Sequence, residues 1–232
     1  MMENGYLPWL SVATAVFEVA AAVWVLRGPG RKTIKVHTAM LLVLLASYQV
    51  AEVWVCADPS ALLRARIAFC CIVWLPTVGL SLMTQYEGGP SRGAGLFLKA
   101  SFAWCLVLCI WVLVDPTFVS GTVCSTVLAT FRHDAQLFHY AYGGFYEMGL
   151  LAMMLSGTVV MKRAESPLAR QHAGDLQMGT ILFVVPAFIT QIIWRDLDPS
   201  LPSLMCHYAL ILALFLVRAT LREQRHANET SA

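Results

Sequence analysis

HTAMLLVLLASYQVAEVWVCA, residues 37–57, can cross a bilayer as one helix, and it carries a single carboxylate, Glu52. A helix rising 1.5 Å per residue needs roughly 20 mostly apolar residues to span the hydrocarbon core. Six more segments meet that test. They are 7–26 (LPWLSVATAVFEVAAAVWVL), 62–84, 96–114, 140–161, 175–194 and 201–221. Most of the breaks hold turn chemistry: RGPGRK, ADPS, EGGPSRGAG, VDP and DLDPSLP. The expected fold is therefore an all-α membrane protein, a bundle of seven transmembrane helices.

Composition agrees. Of 232 residues, 58% are hydrophobic and only 13% charged, with a mean hydropathy of +0.66. A soluble domain carries about a quarter charged residues. A net charge of +2 gives no electrostatic footprint for nucleic acid. No Gly-rich phosphate loop, zinc-ligand spacing or nucleophile elbow occurs, so an enzyme is not the expected reading. No cofactor can be named.

Basic residues set the expected orientation, because cytoplasmic loops carry the excess of Lys and Arg. With the N-terminus outside, the cytoplasmic segments hold Arg27, Arg31, Lys32, Lys35, Arg92, Lys99, Lys162, Arg163, Arg170, Arg218, Arg222 and Arg225. The outer side keeps Arg64, Arg66, Arg132 and Arg195. The C-terminus is then cytoplasmic. Residues 1–222 read as a single seven-helix domain and 223–232 as a short cytoplasmic tail. The opening MMENGYLP lacks the basic start of a signal peptide, so the first span is expected to stay. The NET sequon at Asn228 falls on the cytoplasmic side and is read as coincidence. Residues 115–139 form a long outer connection whose TVCSTVLATF core suggests a short β-hairpin over the bundle.

Orientation also assigns depths to the polar residues of the spans. Each ionisable group in hydrocarbon costs about 2.5–3.5 kcal/mol on insertion scales, so each needs a reason. Tyr48 and Glu52 lie one turn apart on the second span, with Arg66 near the mouth of the third. Tyr140, Gly143, Gly144 and Glu147 share a face of the fifth. Gln191 and Trp194 end the sixth, beyond Pro186, which is expected to kink it. Ser203 and His207 share a face of the seventh. The expected ligand-binding set, lining an outward-facing pocket in the outer third of the bundle, is Tyr48, Glu52, Arg66, Glu147, Gln191, Trp194 and His207, with Arg66 the nearest cation for Glu52. Glu18 lies deeper and stands apart. The same residues also read as helix glue.

Of the seven cysteines, Cys70, Cys71, Cys105 and Cys109 fall inside spans and read as small apolar packers. Cys56 and Cys124 lie outward, where a disulfide would pin the hairpin. A metal set of Cys124, His133 and His139 has irregular spacing. The four lysines all lie outside the seventh span, which excludes a retinal Schiff base there. His37 and His172 sit at span ends, which argues against a bundle haem.

The run LLRARIAFCCIVWLPTVGLSLMTQYEG, with Arg66, Pro76 and Tyr86, is followed by LFHYAYGGFYEMGLL. Then come ARQHAGDLQMGTILFVVPAF, with Gln171 and Pro186, and RDLDPSLP. In that order they resemble the seven-helix N-terminal sensor region of bacterial and archaeal histidine kinases. The resemblance implies a sensing role in a bacterial inner membrane. Those proteins continue into an output domain, whereas this chain ends about ten residues after the seventh span, so a stand-alone module would signal through a separate partner. That partner would dock at the cytoplasmic face or within the membrane, and a small-molecule ligand is implied. An accessory integral-membrane subunit of a larger complex is the alternative; a transporter or membrane enzyme is a third class.

Overall fold

The structure, a computed structural model, describes residues 8–124, 129–133, 139–193 and 201–231. Its helices are α1 (Trp9–Arg27), α2 (Lys32–Ala57), α3 (Leu62–Ile72), α4 (Leu75–Tyr86) and α5 (Arg92–Val114). Strands β1 (Gly121–Cys124) and β2 (Ala129–Arg132) follow, and then α6 (Gly144–Arg163), α7 (Pro167–Ile193) and α8 (Leu201–Ser231). A π-helical turn, His139–Gly143, leads into α6. Together α3 and α4 make one span, so seven helical segments are long and apolar enough to cross a membrane.

The third span breaks at Val73 and Trp74 because Pro76 sits in the first turn of α4. Proline has no N–H to offer the carbonyl four residues back, so α3 must end. Pro186, expected to kink the sixth span, lies inside α7.

Packing closes a ring. α1 lies on α2, α2 on α3 and α4, α4 on α6, α6 on α7, α7 on α8, and α8 returns to α1 and α2. α5 packs mainly against α3 and α4. Its outer face, including Leu106, Ile110 and Leu113, is exposed. Gly149 allows the close α4–α6 approach, since a Cβ there would meet Pro76 Cβ at 2.7 Å.

The two ends of the bundle are built differently. At one end β1 and β2 pair antiparallel, with Thr122 opposite Phe131. A disulfide joins Cys124 to Cys56 at the end of α2. Phe69 of α3 packs edge-on against Phe118, Phe131 and Tyr142, with centroids 5.0–5.6 Å apart. Such pairs add about 0.5–1.5 kcal/mol beyond their buried area. The Tyr142 hydroxyl also donates to the Phe69 carbonyl at 2.6 Å.

The opposite end is held by ions. Gly30 sits at φ +117°, and a Cβ there would meet Glu223 Cγ at 2.8 Å, so this turn needs glycine on two counts. Lys35 Nζ donates to the Gly28 carbonyl at 2.7 Å, satisfying a group past the end of α1.

Two boundaries move from their sequence-based positions. Residues 167–174, read as part of a loop, are the start of α7, and residues 223–231 continue α8. Both stretches are more polar than the apolar runs beside them. They meet across the α7–α8 contact, where His172 lies 3.7 Å from Glu223.

Candidate functional site

Two clusters of buried ionisable groups occupy the bundle. The first lies in the half nearer the hairpin. α1 contributes Glu18, α2 contributes Tyr48, Gln49 and Glu52, α6 contributes Tyr146, and α8 contributes Cys206. Glu18 and Glu52 are fully buried, and Tyr48 and Gln49 are 1% exposed. Gln49 Nε2 donates to the Cys206 carbonyl at 3.3 Å. The Cys206 thiol bonds the Glu52 carboxylate and lies within electrostatic reach of Glu18. Tyr48 in turn neighbours Glu52, Cys206, Tyr142 and Tyr146. Among the described residues, neither Glu18 oxygen has a hydrogen-bond partner, and the Tyr48 and Tyr146 hydroxyls have none. An apolar groove of about 440 Å³ runs between α1 and α2 and ends on Ser11 and Gln49. Gln49 is the one residue of this layer that lines it.

The expected residues divide. Tyr48 and Glu52 are in the layer. Arg66 is not: its Nη2 donates to the Pro116 carbonyl at 2.9 Å, at the base of the hairpin. The expected Arg66–Glu52 pair is therefore not formed. Arg64 is also engaged outside the layer, donating to the Trp54 carbonyl at 3.0 Å. That carbonyl belongs to the last turn of α2, where helical partners run out. Glu147 is exposed, as is Tyr140 at 79%. Their shared face turns away from the bundle interior. His207 is half-buried. The side chains of Gln191, Ser203 and His139, and all of Trp194, lie outside the described residues.

What the sequence reading missed lies one residue away from what it chose. Tyr146 precedes Glu147, Cys206 precedes His207, and Gln49 follows Tyr48. One residue is about 100° of helix rotation. Depth along a helix was readable, but which face turned inward was not. Glu18 was set apart by depth, yet it meets the others through Cys206.

The second cluster lies at the ionic end. Arg31 Nε and Nη2 reach Glu223 Oε1 and Oε2 at 2.8 and 3.1 Å, and the Arg31 backbone N–H adds a third bond at 3.1 Å. Arg222 Nη1 donates to Asp175 Oδ2 at 2.7 Å, with Arg218 Nε 3.5 Å from the other oxygen. His172, fully buried, lies 3.7 Å from Glu223 and packs its ring 5.1 Å from that of Tyr86. A cleft of about 520 Å³ opens beside this cluster, lined among others by Arg31, Tyr86, Leu168, Glu223 and His226. His37 and Ser81 are bonded at 2.9 Å, joining α2 to α4.

Cys124 is used by the disulfide, and His133 Nδ1 bonds the Phe118 carbonyl at 2.6 Å. Among the described residues no group of three or more His, Cys, Asp or Glu is placed to hold a metal ion. No family model, curated protein or solved structure matches the chain.

Proposed function

We propose that the chain is a seven-helix membrane sensor whose buried carboxylate layer takes up a proton or the cationic group of a small ligand. The state of that layer would reach a separate partner at the ionic end. The supporting observation is Glu18. A carboxyl wholly buried in the bundle, with no hydrogen bond to either oxygen among the described residues, adds nothing as helix glue. Ionisable groups inside a membrane mark functional paths by default. The groove between α1 and α2 supports a ligand entering from the bilayer rather than through an outward pocket lined by Arg66 and Glu147.

In this reading the N-terminus is outside and the ionic end faces the cytoplasm, following the excess of basic residues. The membrane is a bacterial inner membrane, and the module stands where kinase sensor regions stand. α8 carries both Cys206 and Glu223, so one helix touches both clusters.

The test uses purified protein in nanodiscs and acidification as the only stimulus. Infrared difference spectra are expected to show a protonated-carboxyl band that shrinks in Glu18→Gln and Glu52→Gln. Hydrogen exchange is expected to change at residues 164–173 and 218–231 in wild type and not in those variants. A pH-silent carboxyl region with unchanged exchange at the ionic end overturns the sensor reading. Purification from native membranes only as part of a larger assembly would favour the accessory-subunit alternative.

A further inference from the structure

Four of the free cysteines, Cys70, Cys71, Cys105 and Cys109, lie where α3 meets α5, and two of them face each other. The Cys70 thiol donates to the Cys109 carbonyl at 3.6 Å, and the Cys109 thiol donates to the Cys70 carbonyl at 3.6 Å. The contact to the Cys70 carbonyl has a structural cause. Cys70 belongs to the last turn of α3, where the Pro76 break leaves helix carbonyls without their usual N–H. Cys105 is occupied differently, donating to the Val73 carbonyl at 3.5 Å and contacting Thr77 at 3.4 Å.

Access separates this pair from Cys105, and the reciprocal contacts separate it from Cys71, which is also partly exposed. Cys105 is fully buried, whereas Cys70 and Cys109 are both partly exposed. They lie beside the outward apolar face of α5, next to Ile110 at 55% exposure. Within a span, that exposure is to hydrocarbon. Charged or hydrophilic thiol reagents do not dissolve there, so a reactant must arrive through the bilayer as an apolar molecule.

We propose that Cys70 and Cys109 form an intramembrane dithiol site that is oxidised to a disulfide by a lipid-soluble quinone. Two S–H bonds break and one S–S bond forms. The two protons and two electrons reduce the quinone to its hydroquinone, so the reaction balances without a further partner. The new bond ties α3 to α5, a helix otherwise held by side-chain packing at the edge of the bundle. A purely packing role would need neither the reciprocal contacts nor exposure of both thiols to lipid.

The experiment takes the full chain in nanodiscs, reduced under conditions that leave Cys56–Cys124 intact. It is exposed to decyl-ubiquinone, to membrane-impermeant ferricyanide, or to hydrogen peroxide. Free thiols are counted with a maleimide after solubilisation and disulfides are mapped by mass spectrometry. Five thiols are free at the start. The expected result is loss of two of them with decyl-ubiquinone, a Cys70–Cys109 cross-link, and equimolar hydroquinone. Ferricyanide should leave all five. Cys70→Ala and Cys109→Ala should each abolish thiol loss and hydroquinone formation, while Cys105→Ala should not. The proposal is overturned if wild type keeps all five thiols with the quinone, or if the cross-link uses Cys71 or Cys105. It is equally overturned if ferricyanide or peroxide alone, and not the quinone, forms the bond. Should one alanine variant fail to fold, the wild-type map and the other variant still decide.

Discussion

The two buried ionic clusters treat their carboxylates in opposite ways. At the ionic end each acid meets a guanidinium: Glu223 has Arg31, and Asp175 has Arg222 and Arg218. In the layer nearer the hairpin, Glu52 meets a thiol and Glu18 has no hydrogen-bond partner among the described residues. Both clusters contain fully buried groups, so burial alone does not separate them. Pairing does. A carboxylate with three bonds from one arginine is explained by stability, whereas an unbonded one is not.

Mutation should therefore move stability in opposite directions. The largest effect is expected from Glu223→Ala, which removes all three bonds to Arg31 and leaves its charge uncompensated. Breaking a fully buried pair costs about 3–5 kcal/mol. Arg31 is 44% exposed and water screens it, which brings the expected loss to about 2 kcal/mol. Unfolding in mixed micelles measures it, and a loss near zero would erase the distinction between the clusters. Glu18→Leu should do the reverse, raising stability by about 1 kcal/mol as an unbonded carboxyl leaves the hydrocarbon, while abolishing the acid-induced infrared change. A large destabilisation would mean that Glu18 is structural after all.

The smallest effect concerns the loops at the hairpin end. Bonds from Thr117 hold the Asp115 carboxyl below the usual carboxylate range, and bonds from Ser60 do the same for Asp58. A depressed folded pKa means that stability is present above the unfolded value. It is lost as pH falls through the folded one, so both turns should loosen only below about pH 4. NMR titration of these carboxyls or hydrogen exchange of residues 115–120 checks this. Loosening already near neutral pH would contradict the assignment, and would also blur the acid response expected of the layer.

How much of this was legible in the sequence depended on what each feature required. Seven apolar lengths required only counting, so the spans emerged. Helix rotation required knowing the neighbours. Sequence favours Glu147 and His207 over Tyr146 and Cys206 because groups that carry charge near neutral pH stand out in an apolar chain. Packing instead buried the residue beside each one. The polar ends of α7 and α8 read as loop and tail because they lack apolar periodicity. Asp175 and Arg222 are 47 positions apart, and no local pattern announces such a pair. Pro76 starts a new helix whereas Pro186 sits inside one, so a proline alone does not say which of the two follows. The reciprocal contacts of Cys70 and Cys109 were hidden for the same reason as the ion pairs, since they join distant segments.

α8 carries a further consequence. Cys206 and Glu223 lie 17 positions apart on one unbroken helix, a span of about 26 Å. A rod of that length, gripped at one end by Arg31 and meeting the carboxylate layer near the other, behaves mechanically as a lever. A tilt of a few degrees at Cys206 becomes a displacement of an ångström or more at Glu223, comparable to the reach of one hydrogen bond. The arginine clamp would then act as a latch whose release is set by leverage rather than by direct contact with whatever enters the layer.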